Sequence, residues 1–326
     1  MRGLDATVTG RLLGPVLALL LALLAGCGLA AYTPTPLPGN GATAAPTSAP
    51  PTSAPTTAPT RCDNALASYD PSDTEGAAVQ RIQKRGRVIA GVSADTYLLG
   101  SRNPFTGRIE GFDIDMVKAL AKAILGDENA YELRVITAAQ RIPSLENRSV
   151  DVVARNMTIT CDRWTQIGFS SEYYRAGQKI LVRRGSKATT LADLKGQRVC
   201  APNGTSSMTN LMKLQPEAIA VGADNHTGCL ALFQNGDVDA ITGDDTVLAG
   251  LAAQDPYAVV PDQKAFTAEP YGLGFNSRDV DLIRFANAML AQMRTDGEWK
   301  QIYDRWLADA LGAAPAPPKA VYGRTA

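Results

Sequence analysis

The chain has 326 residues, and 45% of them are hydrophobic, which is enough for two domains that each bury a core. Lys and Arg total 32, and Asp and Glu also total 32, so the net charge is zero. This balance excludes a global positive field that would recruit nucleic acid or an acidic membrane surface, and any binding must therefore be local.

Residues 1–26 are predicted to be an export signal. An apolar run at 12–24 follows two arginines and is too short for a comfortable transmembrane helix. It ends in Leu24-Ala25-Gly26, directly before Cys27, and this tetrapeptide resembles the bacterial lipobox. The sequence therefore predicts lipidation of Cys27 and anchoring at the extracytoplasmic face of the cell membrane. The alternative is an ordinary signal peptide with an incidental cysteine.

The next segment, residues 27–61, is predicted to be a tether. Its composition collapses to Pro, Thr, Ala and Ser, which cannot build a core. At about 3.1 Å per residue, roughly thirty residues of extended chain would span up to about 90 Å. The segment 313–326 has a similar Pro- and Ala-rich start and is predicted to be a disordered tail.

Four cysteines remain after Cys27, an even number in an exported chain, and this predicts disulfides. Of the three possible pairings we favour Cys200 with Cys229 and Cys62 with Cys161, because the first two fall in one apparent lobe. The wide spacing of the cysteines and the presence of a single histidine argue against zinc, so no metal and no cofactor are expected.

From residue 87 onward, short apolar runs alternate with helical patterns, which is typical of an α/β sandwich. The first series has strands at 88–92, 131–136 and 150–154 and helices at 113–125 and 142–148. The second series has strands at 198–201, 218–221 and 240–241 and helices at 206–214, 229–234 and 246–253.

The last elements, a strand at 271–275 and helical segments from residue 280, are predicted to return to the first lobe. Lobe 1 would then comprise 62–183 and 267–312, and lobe 2 would comprise 184–266. The chain would cross between them near 181–184 and 266–269. Two crossing strands make a hinge.

Residues 151–163 change from an apolar run into hydrogen-bond donors. In extended chain Asn156, Thr158 and Thr160 share one face, and Arg163 follows at turn distance. A guanidinium with small hydroxyls and free backbone N–H groups suits a carboxylate. Taken alone, the segment could equally be a polar strand exit with a surface arginine.

A family resemblance is carried by three motifs, which occur in the order Gly111-Phe112-Asp113-Ile114-Asp115, Arg141-Ile142-Pro143-Ser144-Leu145 and Met157-Thr158-Ile159-Thr160 with Arg163. They resemble the extracellular solute-binding proteins of family 3, the polar amino-acid receptors of ABC importers, across roughly 78–310. Within that family the chain is most similar to actinobacterial glutamate/glutamine-binding lipoproteins. The resemblance implies a two-lobed periplasmic-binding-protein fold of type II, a Venus flytrap with two hinge strands, in a monomeric protein.

The resemblance also implies roles for particular residues. Arg163 would clamp the α-carboxylate of a free amino acid, aided by Thr158, while Asn156 stands where relatives often have Gly or Ser. From the other lobe, Thr205 and Ser206 belong to the loop that presents N–H groups from a helix N-terminus. The same loop could be a simple helix cap.

Asp244 would hold the α-ammonium group, and a swap with the neighbouring Asp245 stays open. Arg141 matches an arginine that receives the side-chain carboxylate in glutamate and aspartate relatives, but it could be a surface salt bridge. Arg155 occupies a position that is often small and neutral. Tyr97 and Leu98 fall near an aromatic lid position.

The predicted function is capture of glutamate, glutamine, aspartate or asparagine by lobe closure and delivery to an ABC importer. A sensor that presents its ligand state to a membrane receptor is an alternative. A dehydratase-type enzyme is a weaker one, because the sequence has no Gly-x-Ser-x-Gly motif and no second histidine.

Overall fold

The computed structural model describes residues 62–325, so the predicted signal, Cys27 and the tether up to residue 61 lie outside the described part. Its helices are α1 (Ala77–Arg85), α2 (Phe112–Leu125), α3 (Arg141–Glu146), α4 (Cys161–Trp164), α5 (Ser206–Leu214), α6 (His226–Asn235), α7 (Asp245–Gln254), α8 (Val280–Asp296), α9 (Glu298–Trp306) and α10 (Ala308–Leu311). Its strands are β1 (Val88–Val92), β2 (Asp95–Thr96), β3 (Gly100–Arg102), β4 (Ile109–Glu110), β5 (Tyr131–Val135), β6 (Val152–Val153), β7 (Ile167–Phe169), β8 (Tyr174–Arg183), β9 (Arg198–Pro202), β10 (Ile219–Ala223), β11 (Ala240–Asp244), β12 (Ala258–Val259), β13 (Thr267–Tyr271) and β14 (Gly274–Asn276).

The first lobe is built on a five-stranded sheet in the order β5-β1-β6-β14-β7. Strand β1 is parallel to both of its neighbours and buried along its whole length, as expected for a strand covered on both faces. The late strand β14 joins this sheet antiparallel to β6 and β7, so the chain does return to the first lobe after the second. Strands β2, β3 and β4 form a small separate sheet that the sequence pattern did not predict.

The second lobe has the sheet order β10-β9-β11-β8-β12. Alternation along β8 sends Leu181 into one hydrophobic cluster, whereas Ile180 and Val182 enter the cluster on the other face. Burial on both faces requires helices on both sides of the sheet. The predicted α/β class with two lobes is confirmed by these two sheets.

Strands β8 and β13 cross between the lobes and pair antiparallel from Tyr174 with Tyr271 to Gln178 with Thr267. Gln178 also pairs with Asp244 of β11, so the second sheet has already begun at that residue. The first crossing therefore precedes the predicted position at 181–184, because one long strand serves both the hinge and the second sheet. The second crossing overlaps the predicted 266–269.

Both predicted disulfide pairings are confirmed. Cys200 and Cys229 join β9 to α6, and Cys62 is bonded to Cys161, the first residue of α4.

Residues 313–325 differ from the predicted disordered tail. Val321 forms a parallel bridge with Ala67, and its carbonyl accepts the Ser68 N–H at 2.9 Å. The Arg324 guanidinium lies 3.7 Å from the centroid of the Trp164 ring. Composition favours disorder here, but these partners hold the segment against the first lobe. Within residues 62–325, the helices are too short or too polar for any of them to cross a membrane.

Candidate ligand-binding site

Arg163 lies buried where the two lobes meet. Thr160 caps α4 by accepting the Arg163 backbone N–H at 3.2 Å, which fixes the direction of the side chain. The guanidinium donates to the Thr158 carbonyl at 2.6 Å and to the Gly204 carbonyl of the second lobe at 3.4 Å. Burial lowers the pKa of Arg163, while Glu269 and Asp244 oppose that shift. Since a guanidinium has five N–H donors, most of them remain for a ligand carboxylate.

Arg141, at the start of α3, is committed mainly to backbone carbonyls. Its donors reach Ala138 at 2.9 Å, Arg155 and Asn156 at 3.2 Å each, and Gly204 across the lobes at 3.2 Å. Burial, followed by the charges of the two other arginines, lowers its pKa. Four of its five N–H groups are thus spent on protein carbonyls.

The loop before α5 approaches the first lobe closely at Gly204. Its φ is +72°, and a Cβ there would lie 2.9 Å from the Cα of Ala139. Only glycine accommodates both conditions, and this allows its carbonyl to accept from two arginines of the other lobe.

Asn156 adopts a left-handed backbone conformation, with φ +37°. Its N–H donates to Asp113 Oδ2 at 2.8 Å, while Tyr173 donates to Asp113 Oδ1 at 2.6 Å. Burial raises the pKa of Asp113 to about 6. Asp113, the first residue of the predicted helix at 113–125, therefore positions Asn156 from 43 residues away. A contact between residues this far apart leaves no signal in the sequence pattern.

Asp244 ends β11 and is buried. Its Oδ2 accepts from the Tyr271 hydroxyl at 2.7 Å. Burial, and secondarily the Glu269 charge, raise the pKa of Asp244 to about 8. Asp245 instead begins α7, and its Oδ1 accepts N–H groups from Thr246 at 2.8 Å and Gly177 at 3.4 Å.

The predicted loop residues Thr205 and Ser206 differ in what they contact. Thr205 is the N-cap of α5: its hydroxyl accepts from Met208 N–H at 3.1 Å and donates to the Pro202 carbonyl at 2.7 Å. Ser206 Oγ instead donates to Glu269 at 2.6 Å. The N-terminus of α5 remains a source of partial positive charge for an anion.

Arg155 and His226 lie in the same buried cluster. Arg155 Nε donates to the Ile136 carbonyl at 2.9 Å, and burial lowers the pKa of Arg155, opposed by Asp95. Burial and the nearby Arg155 charge lower the pKa of His226 to about 3, so its imidazole is neutral at pH 7. His226 was not among the predicted site residues, although it is the chain's one histidine and begins α6.

The two predicted lid residues separate. Tyr97 is half-exposed and approaches α7, since a Cβ on Gly250 would lie 2.8 Å from the Tyr97 carbonyl oxygen. Leu98 packs against the first-lobe core instead. The structure therefore brings Tyr97, but not the Leu98 side chain, to the boundary between the lobes.

Buried polar atoms without partners mark this region. Five such side-chain atoms occur within residues 62–325, and three belong to the cluster just described: Asn156 Oδ1, His226 Nε2 and Asp244 Oδ1. An unpaired buried polar atom costs about 1–3 kcal/mol, so these atoms favour a ligand that hydrogen-bonds to them. No three His, Cys, Asp or Glu side chains of the described range are grouped as a metal site would require.

Residues 88–309 match the family model described as bacterial extracellular solute-binding proteins, family 3. The glutamine-binding protein GlnH of an ABC transporter in Bacillus subtilis (strain 168) is 37% identical over 229 residues, covering 70% of this chain and 84% of that protein. The glutamate-binding protein GluB of Corynebacterium efficiens is 30% identical over 241 residues, covering 70% and 80%.

Among solved structures, the ancestral amino-acid-binding protein AncCDT-1, a precursor of cyclohexadienyl dehydratase, superimposes with a TM-score of 0.65 at 32% identity. The match covers 71% of this chain and 99% of that one.

Proposed function

The chain belongs to the bacterial extracellular solute-binding proteins of family 3, and we propose that it captures a free polar amino acid and delivers it to an ABC importer. The ligand would be glutamate, glutamine, aspartate or asparagine. The observation that carries the proposal is the set of three unpartnered buried atoms, Asn156 Oδ1, His226 Nε2 and Asp244 Oδ1, contributed by both lobes.

The ligand's α-groups would use the two ends of this cluster. The α-carboxylate would pair with Arg163 and with N–H groups at the start of α5, and the α-ammonium would pair with Asp244. Binding an ammonium would offset the cost of ionising the buried Asp244 carboxyl, whose pKa is raised to about 8.

The ligand's side chain would then meet Arg155 and His226. One nitrogen of the neutral His226 imidazole bonds the Thr242 backbone, so its free Nε2 can accept from an amide N–H, while the buried Arg155 guanidinium can donate to a carboxylate and disfavours a cationic side chain. This chemistry supports acidic and amide amino acids. The relatives named for glutamine and glutamate agree with this class.

A thermal-shift screen of the purified chain against all twenty free amino acids tests the proposal. A ligand at a hundred times its Kd stabilises the folded state by about 2.7 kcal/mol. We expect the largest rises in Tm from glutamate, glutamine, aspartate or asparagine. Stabilisation by arginine or histidine alone, or by none, would contradict the proposal.

An enzymatic role has one observation in its favour, the likeness to the dehydratase precursor. Incubation of the purified protein with a prephenate-like cyclohexadienyl acid would reveal it through release of water and carbon dioxide. We expect no turnover, because the cluster is proposed to pair with both charged α-groups of an amino acid.

We also propose that lipid on Cys27 anchors the protein, as a monomer, to the outer face of the cell membrane. Cys27→Ala should release it into the soluble fraction, and mass spectrometry should lose the acyl adducts. Affinity purification of the native lipoprotein would distinguish an ABC permease from a membrane sensor as its partner.

A further inference from the structure

Glu269 is a buried carboxylate in the hinge strand β13, and one of its oxygens joins the two lobes. The side chain is 2% exposed. Its Oε2 accepts from Thr158 Oγ1 of the first lobe at 2.8 Å and from Ser206 Oγ of the second lobe at 2.6 Å. A charged acceptor shared by two lobes is a stronger link than two neutral contacts would be.

The other oxygen of Glu269 is fixed as well. Oε1 accepts from Asn210 Nδ2 of α5 at 3.0 Å and from Thr267 Oγ1 of its own strand at 2.7 Å. Four donors therefore surround one buried carboxylate, which compensates for the loss of its hydration. On the first-lobe side, Thr158 is held by a bridge to Tyr271, two residues along the same strand.

The hydroxyl hydrogens of Thr158 and Ser206 are both used in hydrogen bonds within this arrangement. Thr158 Oγ1 and Ser206 Oγ lie 3.0 Å apart, and each carries a single hydrogen. Either both hydrogens point to Glu269, or one points to the neighbouring hydroxyl, whose own hydrogen then goes to Glu269. In each case no hydroxyl hydrogen remains for a ligand carboxylate.

We propose that Glu269 is a positioning residue that latches the lobes together through the hydroxyls of Thr158 and Ser206, whose hydrogens therefore serve lobe closure and are not donated to the ligand carboxylate. This deepens the proposed function and rests on it for its effect on affinity. The ligand carboxylate then depends on Arg163 and on backbone N–H groups of α5. A latch shifts the population of the closed form, so it changes the affinity for every amino acid by the same factor.

The test measures the distance between probes on exposed Lys122 and Lys213, one on each lobe, introduced without cysteine chemistry so that the disulfides stay intact. The purified full chain is measured in detergent without any amino acid. We expect Glu269→Gln to populate a longer distance and to raise Kd about tenfold for each bound amino acid, without changing their order. Ser206→Ala should lengthen the distance in the same direction.

Thr267→Val is the matched control, because its hydroxyl bonds the same carboxylate from the hinge strand and does not bridge the lobes. It should leave the distance unchanged. An unchanged distance in both Glu269→Gln and Ser206→Ala overturns the proposal, and so does tighter binding by Glu269→Gln, which would mean that Glu269 competes with the ligand for the hydroxyls. If Glu269→Gln fails to fold, Ser206→Ala decides alone. The distance measurement needs no ligand, so it remains decisive if the wild-type chain binds no amino acid.

Discussion

The two lobes contribute different kinds of group to the proposed site. The first lobe provides the buried arginines Arg141, Arg155 and Arg163, each anchored to at least one carbonyl of its own lobe. The second lobe provides the acid Asp244, a helix N-terminus and the Gly204 carbonyl that two of those arginines reach.

The difference shows that the positive charges that would attract an anion are concentrated in the first lobe. Burial, and then the charges of Arg163 and Arg155, lower the pKa of Arg141. An anion placed among them relieves that repulsion. In the proposed site, the first lobe therefore supplies the cationic half, and the second lobe supplies the acid and the main-chain groups that complete it.

Removing the central cation should have the largest effect. Arg163→Ala leaves a ligand carboxylate buried without its partner, which costs about 3–5 kcal/mol, or about 100- to 5,000-fold in affinity. Isothermal calorimetry with the best ligand measures it. Arg148→Ala is the matched control, since Arg148 is a half-exposed first-lobe arginine paired with Asp279. Comparable losses in the two variants would refute the carboxylate role of Arg163.

Neutralising Asp244 of the second lobe should cause the second-largest loss of affinity. Asp244→Asn removes the proposed ammonium partner, and we expect a loss of about 100-fold, in line with the loss of one buried charged hydrogen bond. Retained affinity would transfer this role to Asp245.

The wild-type affinity should also depend on pH through Asp244. Its pKa is about 8, and ligand binding requires the ionised form, so binding releases a proton below that value. Affinity should then rise by up to about tenfold per pH unit between about pH 6 and 8. Asp244→Asn should flatten that slope, and a slope that persists would assign the titration elsewhere. The free energy of unfolding should depend on pH in the opposite direction. A raised carboxyl pKa means that the folded state binds a proton which the unfolded state has lost. Asp244 therefore lowers the stability of the fold as pH rises from about 4 to 8.

A smaller loss of affinity is expected at Arg141, and its pattern should show whether this residue is structural or contacts the ligand. Because Arg141 spends four donors on carbonyls of both lobes, Arg141→Met should weaken glutamate and glutamine alike, by about tenfold. Competition assays with both amino acids compare them directly. A preferential loss of glutamate would instead place the fifth N–H of Arg141 on the ligand's side-chain carboxylate.

The smallest effect on binding is expected from the second-lobe disulfide. Replacing Cys200 and Cys229 with Ala opens a link with a separation of 29 residues, which costs about 3–4 kcal/mol of unfolding free energy. Below the lowered Tm, amino-acid affinity should be unchanged, because the bond joins β9 to α6 within a hydrophobic cluster of the second lobe. A change in Kd would show that α6, and with it His226, depends on the bond for its position.

Local chemistry made part of this molecule predictable from the sequence. The helix Ser206–Leu214 was predicted with its bounds, because a cap and an apolar spacing specify it together. Both disulfide pairings followed from assigning cysteines to lobes. Strands β2 and β4 have two residues each, too few for a period to be recognised.

The rest depends on contacts between distant segments. In the sequence, Glu269 is simply one polar residue of a crossing strand. In the structure, its four hydrogen-bond donors come from three separate segments. Val321 and Arg324 sit in a Pro- and Ala-rich tail, but their partners lie about 250 residues earlier and at Trp164. The composition of a segment does not show which distant residues will contact it in the folded protein.

The bond between Cys62 and Cys161 also has a mechanical consequence. Arg163 lies two residues beyond Cys161 on the single turn of α4, and Arg324 braces the same turn by stacking on Trp164. Traction on the chain at Cys62 is therefore carried through a covalent bond into the turn that holds the central guanidinium. Under the proposed function, mechanical load and ligand occupancy would act on the same turn of helix.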